Sequence, residues 1–478
     1  MSSLKEQYTK FLQIEEELDL FNRRIDGIPY WDLSRVEIFF ELFEGKSSGS
    51  AKTKIRLIWL KKLLFYVRSL FNLPKNPLLC SAKDIVFSGG QRRVQVEDGT
   101  WWDIHVDPLL GNINVSYMSL EYPINLEHYG PAKTPILYYF DVLITLGFIR
   151  RMLGLTKVKL RTEDLRFLES VREELKTRFE VDVDVTKIVI GRLHERQSLL
   201  PLCLKFLKRV KPKLVVMVTS YARKSLLEAC RILNITTIEL QHGVISSYHP
   251  GYSFPNSARH NVLFPDYLMV FGEYWRTIAD YPIEEDHIIS VGYPFLEKRI
   301  KLHTQAKRKK QIVFISQNRF GVPISRMAVE LSKVSDFDYR IVYKLHPREV
   351  LDWKARYPWL VDANVEVIDT LGTGLFKLLG ESMVQVGVSS TAIYEGLAFG
   401  LRTFILDVPG SEYFQPLLDA GQAHKVTSVS DFVKQLRDEE NVVHPDIDYI
   451  FSRNGVTTTI EYIKRFLEKC DSTRPHDL

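Results

Sequence analysis

Hydrophobic and polar positions follow two different periods along the chain, and the change between them divides the sequence. Residues 1–75 carry apolar residues at helical spacing, as in LKEQYTKFLQIEEELDLFNRR and WDLSRVEIFFELF, which predicts a helical N-terminal region. The stretch NLPKNPLL, at 72–79, is a helix breaker. Beyond it, short apolar runs of strand length alternate with amphipathic helical patterns.

Two successive sets of strand and helix patterns follow the breaker. The first includes KDIVFSGG, KLVVMVTSY and ITTIELQHG, and the second includes QIVFISQN, YRIVYKLHP and MVQVGVSS. The runs are almost continuously apolar, which is typical of parallel strands covered by helices on both faces. The sequence therefore predicts the α/β class, with two Rossmann-like doubly wound domains facing a cleft. The predicted boundaries are 1–75 for the helical region, 76–280 for the first domain and 281–478 for the second.

The composition restricts the class of partner. The 478 residues are too many for one ordinary core, and 45% of them are hydrophobic and 26% charged, as in folded globular proteins. The net charge of +5 permits an anionic ligand, but no basic stripe with interleaved aromatics indicates nucleic-acid binding. Four widely spaced cysteines and a polar N-terminus predict a reduced, cytoplasmic protein with no signal peptide and no metal cluster.

One apolar stretch, IRLIWLKKLLFYVRSLFNL, bears on membrane contact. Lys61, Lys62 and Arg68 interrupt it, so that it is too broken to span a bilayer. A basic, aromatic-rich helix can instead lie on an anionic membrane surface. The charges of this stretch do not fall on one clean helical face. We therefore favour a packed helix and keep peripheral contact with the inner membrane as the alternative.

Stretches that follow strands carry the candidate chemistry, because ligands of doubly wound sheets bind at the carboxyl ends of the strands. Gln241-His242-Gly243 follows the run ITTIEL. Glycine lets the backbone approach a ligand closely, and a histidine in such a place can act as a general base. The alternative for His242 is a hydrogen-bonded structural role.

Two further strand ends predict an anion site in the second domain. In YKLHPRE, Lys344 and His346 share one side of a strand that Pro347 ends, which makes a cationic corner suited to phosphate.

In VGVSSTAIYEGLAFG, a strand-to-helix junction presents hydroxyls and free amides to phosphate, with an acid one turn further in, within reach of a ribose. These residues are Ser389, Ser390, Thr391 and Glu395. An exposed strand end and a plain helix cap are the alternatives. Neither GxGxxG nor GxxxxGK[ST] occurs, which disfavours dinucleotide and P-loop enzymes.

The stretch GGQRRVQVEDGTWWDIHVDPLLG combines carboxylates with arginines and tryptophans. Exposed aromatics beside carboxylates suit carbohydrate binding and proton abstraction from a hydroxyl, although VEDGT is also an ordinary hairpin turn. Asp98 and Asp103 are candidate bases, and Arg92 and Asp107 are candidate acceptor contacts.

Taken in order, the HG pair, the HP pair after a lysine-bearing strand and the SS(S/T) run followed by Glu resemble the GT-B glycosyltransferases of bacterial surface-polysaccharide assembly. The resemblance covers roughly residues 80–470. The nearest likenesses are the capsular polysaccharide transferases that use CMP-activated Kdo or sialic acid and the CDP-glycerol glycerophosphotransferases of teichoic acid synthesis. The resemblance implies that His346 contacts the donor nucleotide or its phosphate and that Glu395 binds the ribose or base. It assigns the phosphate to Ser389, Ser390 and Thr391.

The two likenesses imply different catalytic bases. The glycerophosphotransferases use the HG histidine, here His242, although this chain has QHGVI where they have WHGTP. The sialyl-type transferases place an acidic base in a D/E-D/E-G string, here Glu97-Asp98-Gly99. Lys344, His346 and the helix terminus would take the place of a metal ion, so we expect no metal and no other cofactor.

We therefore expect an inverting transfer of a sugar from a nucleotide-activated donor, CMP-linked by preference, to a glycan or lipid-linked glycan acceptor. Three alternatives stay open. They are a CDP-glycerol-type glycerophosphotransferase, a nucleotide-sugar epimerase or hydrolase, and a non-catalytic partner of an assembly complex.

Overall fold

The computed structural model describes residues 3–44, 53–90, 92–96, 98–259, 261–303, 305–369, 374–438 and 443–473. The chain divides into two compact units. The larger comprises Glu6–Arg93, Thr100–Gly292 and Val456–Leu478, and the smaller comprises Met1–Lys5, Val94–Gly99 and Tyr293–Gly455. Within the described residues, no helix combines the length and the apolar character needed to cross a membrane.

Helices and strands are numbered along the chain. Up to the end of the larger sheet they are α1 (Leu4–Glu17), α2 (Tyr30–Glu44), α3 (Thr53–Phe71), β1 (Ile85–Ser88), β2 (Arg93–Gln95), β3 (Trp101–Asp103), α4 (Asp107–Leu110), β4 (Tyr117–Glu121), β5 (Leu137–Tyr139), α5 (Asp141–Met152), α6 (Thr162–Phe179), α7 (Val185–Val210), β6 (Leu214–Val218), α8 (Lys224–Ile232), β7 (Thr236–Leu240), β8 (Tyr267–Val270) and β9 (Ile288–Ser290). They continue with α9 (Pro294–His303), β10 (Gln311–Ile315), α10 (Gly321–Leu331), β11 (Arg340–Lys344), α11 (Trp353–Arg356), β12 (Glu366–Ile368), α12 (Gly374–Glu381), β13 (Val384–Gly387), α13 (Thr391–Ala398), β14 (Arg402–Leu406), α14 (Gln415–Asp419), β15 (His424–Val426), α15 (Val429–Arg437), α16 (Ile447–Ile450) and α17 (Gly455–Thr473).

The larger unit is built on a parallel sheet of seven strands in the order β5-β4-β1-β6-β7-β8-β9. The strand order runs outward from β1 in both directions, which is the doubly wound arrangement. Alternate residues face opposite sides of the sheet. Val86 and Val215 lie in a core with residues of α5, α7 and α8, whereas Phe87 and Val216 lie in a core with residues of α4 and α17. Because both faces are covered, a central strand such as β6 is apolar along its whole length.

The smaller unit repeats this plan with six parallel strands in the order β12-β11-β10-β13-β14-β15. The order again runs outward from the first strand, β10. Ile312 and Phe314 of β10 join residues of α10 and α15 in one continuous core. The predicted α/β class, with two doubly wound units and a helical N-terminal region, is confirmed.

The compact units divide the chain at other points than the predicted 280/281 boundary. Strand β9 pairs with β8, so the larger unit continues to Gly292. The last helix, α17, buries Ile460, Ile463 and Phe466 in the core of the larger unit. Periodicity predicts a closing helix but does not say which sheet it covers. The acceptor and donor roles of the two predicted domains stay predictions.

Candidate functional site

The larger sheet reverses its winding direction between β1 and β6, and a buried arginine lies at that point. Arg223, which precedes α8, donates from Nε to Ser88 Oγ at 3.0 Å. Its guanidinium also donates to the carbonyl oxygen of Gly89 and lies 4.0 Å from the centre of the Tyr122 ring. A cavity of about 140 Å³ adjoins it and is lined in part by Tyr122 and Tyr221. Because ligands of such sheets bind at this crevice, Arg223 places a positive charge where an anionic substrate would arrive.

Asp103, a predicted base, holds the glycine turn that follows β1. Its Oδ2 accepts the Gly90 amide at 2.8 Å, and its Oδ1 accepts the amides of His105 and Val106 at 3.0 and 3.2 Å. A Cβ atom at Gly89 would clash with Oδ2, so the close approach requires glycine. Burial raises the pKa of Asp103. Both carboxylate oxygens thus stabilise backbone, and a role of Asp103 as a base stays a prediction.

The two predicted acceptor contacts lie in the same unit. Asp107 begins α4, and its carboxylate accepts the Thr134 hydroxyl and the Asp103 amide, each at 2.8 Å. Burial, reinforced by the charge of Asp103, raises the pKa of Asp107 to about 7. Half-buried Arg92 lies close enough to lower the pKa of His242, so it belongs to the region around that histidine. Their contact with an acceptor stays a prediction.

Asp98, the other predicted acidic base, lies in a turn. It is exposed within the segment Val94–Gly99, which groups with the smaller unit. Gly99 closes the turn by donating its amide to the carbonyl oxygen of Val96 at 2.9 Å and has a φ of 79°. Glu97, the first residue of the D/E-D/E-G string, lies outside the described residues.

His242 follows β7 and belongs to a hydrogen-bonded chain with two buried residues. Its Nδ1 lies 3.0 Å from the Tyr252 hydroxyl, which is 2.5 Å from Oε1 of Glu239 on β7. Burial, together with the charges of Arg223 and Arg92, lowers the pKa of His242 to about 4. The ring is therefore neutral at pH 7 and can accept a proton.

The hydrogen bonds from His242 through Tyr252 to Glu239 determine which nitrogen of His242 carries the hydrogen. Burial raises the pKa of Glu239, while hydrogen bonds from Ser220 and Tyr252 favour its ionised form. Tyr252 has one hydroxyl hydrogen, and Oε1 of Glu239 accepts it. The Tyr252 oxygen then accepts the Nδ1 hydrogen of His242, which leaves a lone pair on Nε2. A neutral imidazole oriented in this way has the geometry to accept a proton at Nε2.

The N-terminal helices hold the loop that supplies this tyrosine. Arg35 of α2 donates to the carbonyl oxygens of Pro250 and Ser253, the latter at 3.2 Å, and Tyr8 of α1 donates to Ser253 O at 2.8 Å. His249, in the same loop, accepts a backbone amide two residues along at 3.0 Å, and burial lowers its pKa to about 3. His249 thus serves the loop itself, and α1 and α2 fix its position.

In the smaller unit, the winding direction reverses between β10 and β13, and the predicted serines lie there. Gln317, just after β10, donates from Nε2 to the carbonyl oxygen of Ser389 at 3.0 Å. Ser389 has a φ of 50°, and Ser390 caps α13 by accepting the Ala392 amide at 3.3 Å. Thr391 is the first residue of the helix and is half-buried. The three hydroxyls lie at the strand-to-helix junction where the sequence predicts them.

Lys344 is the last residue of β11 and is almost fully buried at the carboxyl edge of the smaller sheet. Its Nζ donates to the carbonyl oxygen of Leu345 at 3.1 Å. Burial lowers the pKa of Lys344 to about 8, and the carboxylates of Asp369 and Glu349 act against this shift. The ammonium group therefore remains mostly charged at pH 7.

His346 lies beyond the end of the strand, so the alternation of side chains within a strand does not extend to it. Its backbone amide donates to Oε2 of the buried Glu349 at 2.9 Å, and its Nδ1 accepts the Arg348 amide at 3.2 Å. Because Nδ1 accepts, the neutral ring carries its hydrogen on Nε2 and can donate it to an anion. Pro347, between His346 and Arg348, is exposed in the turn.

Glu395, the predicted ribose contact, is fully buried in α13. Its side chain lies in the interior of the smaller unit rather than on the surface, as do all residues of the helix from Ala392 to Leu397. Contact with a ribose would require it to become accessible, and its role stays a prediction.

Several residues of these sites are absent from the sequence-based predictions. Arg223 lies in the stretch SYARK, just after a strand. Its position after a strand end is therefore the signal that could have found it. Glu349 lies within YKLHPRE, but only its contact with the His346 amide shows its role in holding that turn. Glu239 and Tyr252 carry no local signal, because thirteen positions separate them and the folded loop brings them together.

Comparison with known proteins gives only distant likenesses. No protein family and no curated protein matches the chain. Among solved structures, the UDP-GlcNAc 2-epimerase of Methanocaldococcus jannaschii is 11% identical over 80% of this chain and 99% of its own, with a TM-score of 0.46. MurG of Acinetobacter baumannii is 10% identical over 80% and 100%, with a TM-score of 0.45. The wall teichoic acid polymerase TagF is 14% identical over 89% and 100%, with a TM-score of 0.41. These likenesses carry no argument for a function. A function is therefore inferred from the residues at the carboxyl edges of the two sheets.

Proposed function

We propose that the protein is an inverting transferase of surface-polysaccharide synthesis. It moves a sugar from a nucleotide-activated donor, CMP-linked by preference, to a hydroxyl of a glycan or lipid-linked glycan. The observation that carries the proposal is His242, a neutral imidazole that Tyr252 and Glu239 orient at the carboxyl edge of a doubly wound sheet.

In this reaction, Nε2 of His242 removes the proton of the acceptor hydroxyl while the acceptor oxygen attacks the anomeric carbon. The bond between that carbon and the donor phosphate oxygen breaks, and the electron pair leaves with the phosphate. A histidine with a pKa of about 4 is a weak base. An anionic group of the acceptor bound near Arg223 and Arg92 would offset their charges and so act against this shift, although burial remains its largest cause.

The smaller unit supplies groups suited to the leaving phosphate. Lys344 contributes a positive charge, and His346 contributes the hydrogen on Nε2. Ser389 and Ser390 add hydroxyls at the N-terminus of α13, where the helix dipole favours an anion. Such fixed groups stabilise the negative charge that develops on the phosphate as the bond breaks. We expect activity to persist in EDTA.

A CDP-glycerol-type transfer is the second candidate, and one observation favours it. Both oxygens of Asp103 accept backbone amides, which leaves His242 as the better-placed base in the larger unit. His242 is also the histidine that the resemblance to glycerophosphotransferases assigns. In that reaction the acceptor oxygen attacks the phosphorus that bears the glycerol, and CMP leaves.

Donor binding is tested by thermal unfolding and calorimetry with CMP, CDP, UDP and GDP. We expect a cytidine nucleotide to raise the Tm. We expect His346→Ala to weaken that binding about tenfold or more, because it removes a hydrogen bond to a charged group. His444→Ala, which removes an exposed histidine of the same unit, is the control and should bind normally. If no nucleotide raises the Tm, the transferase proposal fails and a non-catalytic role is favoured. Unchanged affinity in His346→Ala would remove His346 from the donor site.

Turnover separates the remaining candidates. With CMP-sugar or CDP-glycerol and a glycan acceptor, His242→Gln should abolish CMP release and keep nucleotide affinity within about twofold, because it removes the base without removing a donor contact. Asp98→Asn is the matched substitution at the alternative base and should retain activity. The opposite pattern would assign the base to Asp98. Turnover that needs no acceptor would indicate an epimerase or hydrolase.

A further inference from the structure

An apolar stripe runs along the exposed side of α3. Its members recur every three or four positions, and between 38% and 78% of each side chain is exposed. They are Leu60, Leu63, Leu64, Val67, Leu70 and Phe71. At 100° per residue they occupy an arc of about 120° on the helix surface. An amphipathic helix on a protein surface normally turns its apolar side toward the core. A contiguous apolar surface that faces solvent instead marks an interaction site.

This stripe is not the face by which α3 packs. The packing face carries Phe65 and Ser69, both buried. Ser69 Oγ lies 2.6 Å from Thr145 Oγ1 of α5, and the ring of Tyr66 stacks on Phe148 with centroids 4.4 Å apart. The favoured prediction of a packed helix is therefore met by one side of α3, while the opposite side is apolar and exposed.

The end of α5 extends this apolar surface. Tyr66 pairs with Phe148 and Ser69 pairs with Thr145, so the two helices run antiparallel. The C-terminal end of α5 therefore lies toward the Leu60 half of α3. Three exposed apolar side chains follow there, of which Met152 is 71% exposed. They are Met152, Leu153 and Leu155.

Both segments carry positive charge and no negative charge of their own, and exposed Glu127 lies 3.8 Å from Lys61. Residues 60–83 contain five Lys and Arg and no Asp or Glu, and residues 142–161 also contain five and none. The whole chain has a net charge of only +5, so the basic residues are concentrated here. On α3, Lys61 and Arg68 flank the stripe on one side, at about 80–100° around the helix when Leu60 is set at zero. A cationic edge beside an apolar face matches the headgroups and acyl chains of an anionic lipid surface.

We propose that the face formed by α3 and the C-terminal end of α5 docks the larger unit on an anionic phospholipid bilayer. The helix lies in the plane of the interface, with Leu64, Val67 and Phe71 at the acyl boundary and Lys61 and Arg68 among the headgroups. The proposal is independent of the reaction assigned to the strand edges. If that reaction uses a lipid-linked acceptor, this face brings the larger unit to the surface where the acceptor lies.

The test is co-sedimentation of the full-length protein with vesicles of phosphatidylcholine containing about 30% phosphatidylglycerol, against pure phosphatidylcholine. We expect binding at least about tenfold tighter to the anionic vesicles, and weaker at high salt. Leu64→Gln/Val67→Gln/Phe71→Gln should lose about tenfold or more, because three apolar side chains leave the interface. Lys61→Gln/Arg68→Gln should lose about 25-fold, since each of the two cations contributes about fivefold near such a surface.

The control is Leu351→Gln/Val361→Gln, which removes exposed apolar residues of the smaller unit and should bind like the wild type. All variants alter exposed side chains, and an unchanged circular dichroism spectrum and Tm confirm folding. Equal vesicle binding by the stripe variant, or none by the wild type, overturns the proposal. A wild-type dimer that the stripe variant converts to a monomer in light scattering would assign the face to a second copy and also overturn it. Nucleotide binding is unaffected in either case, so failure here is distinct from failure of the transferase proposal.

Discussion

The buried pair of Glu15 and Arg35 offers a sharp test of how the N-terminal helices support the histidine loop. Arg35 is fully buried and pairs with both carboxylate oxygens of Glu15, at 2.8 and 2.9 Å. Trp31 Nε1 donates to the same carboxylate at 2.6 Å. The remaining guanidinium hydrogens reach the carbonyl oxygens of Pro250 and Ser253. The substitution Arg35→Met roughly keeps the volume and removes the charge and the bonds of Arg35 to Glu15, Pro250 and Ser253, while the bond from Trp31 to Glu15 remains.

Breaking this pair should be costly. Removing one partner of a buried ion pair costs about 3–5 kcal/mol, because the other charge stays buried without compensation. The two loop carbonyls also lose their donor. We therefore expect Arg35→Met to lower the free energy of unfolding by about 4 kcal/mol, a large fraction of the stability of an ordinary domain. The double variant Glu15→Gln/Arg35→Met should recover at least half of that loss, since it leaves no buried charge.

The assay is urea unfolding followed by circular dichroism at several pH values. Burial raises the pKa of Glu15, and Arg35 acts against it. Without Arg35, the folded-state pKa rises further above the unfolded value. A carboxyl group of this kind contributes stability below its unfolded pKa and loses it as the pH rises. The deficit of Arg35→Met relative to the wild type should therefore grow from about pH 5 to pH 7.5.

The matched control is Arg172→Met. Arg172 makes the same two-bond contact with Asp182, at 2.7 and 2.8 Å, but on the surface of the same unit. Solvent screens this pair, so its loss should leave the urea midpoint nearly unchanged. Equal effects of the two substitutions, or a deficit of Arg35→Met that does not change with pH, would refute the reasoning from burial.

Two further predictions concern Asp107 and Tyr252. Asp107 has a raised pKa of about 7, so it contributes stability below about pH 4 that is lost as the pH rises to 7. The wild type should lose up to about 3–4 kcal/mol over this range relative to Asp107→Asn, and parallel pH profiles in urea unfolding would contradict the assignment. Tyr252→Phe should lower turnover about 100-fold with nucleotide affinity kept, because it releases Nδ1 of His242 from its orientation. Nitrogen NMR of the wild type should show the hydrogen on Nδ1, and a wild-type ring with its hydrogen on Nε2 would exclude the proposed base.

Much of the fold is local in origin, and the sequence alone predicts it. The largely apolar runs of β1, β6 and β10 are long enough and regular enough to identify buried parallel strands. The glycine and serine residues at their ends predict candidate sites at the carboxyl edges of the two sheets. The pattern is weaker for β2, β3 and β5, each only three residues long, because so short a run shows no period.

The sequence could not decide which residues distant along the chain contact one another. Tyr252 lies between Glu239 and His242 only because α1 and α2 fix the loop that carries it. In the sequence, Asp103 and His242 are equally suited to act as a base. In the structure, both carboxylate oxygens of Asp103 accept hydrogen bonds from backbone amides.

The same holds for α3. Its sequence shows apolar residues on both sides, and periodicity alone cannot choose which side packs. The contacts of Ser69 and Tyr66 with α5 decide it and leave the stripe from Leu60 to Phe71 exposed. Local patterns set the elements because propensity and period act between near neighbours. The tertiary structure alone sets burial and pairing, because these depend on which surfaces meet.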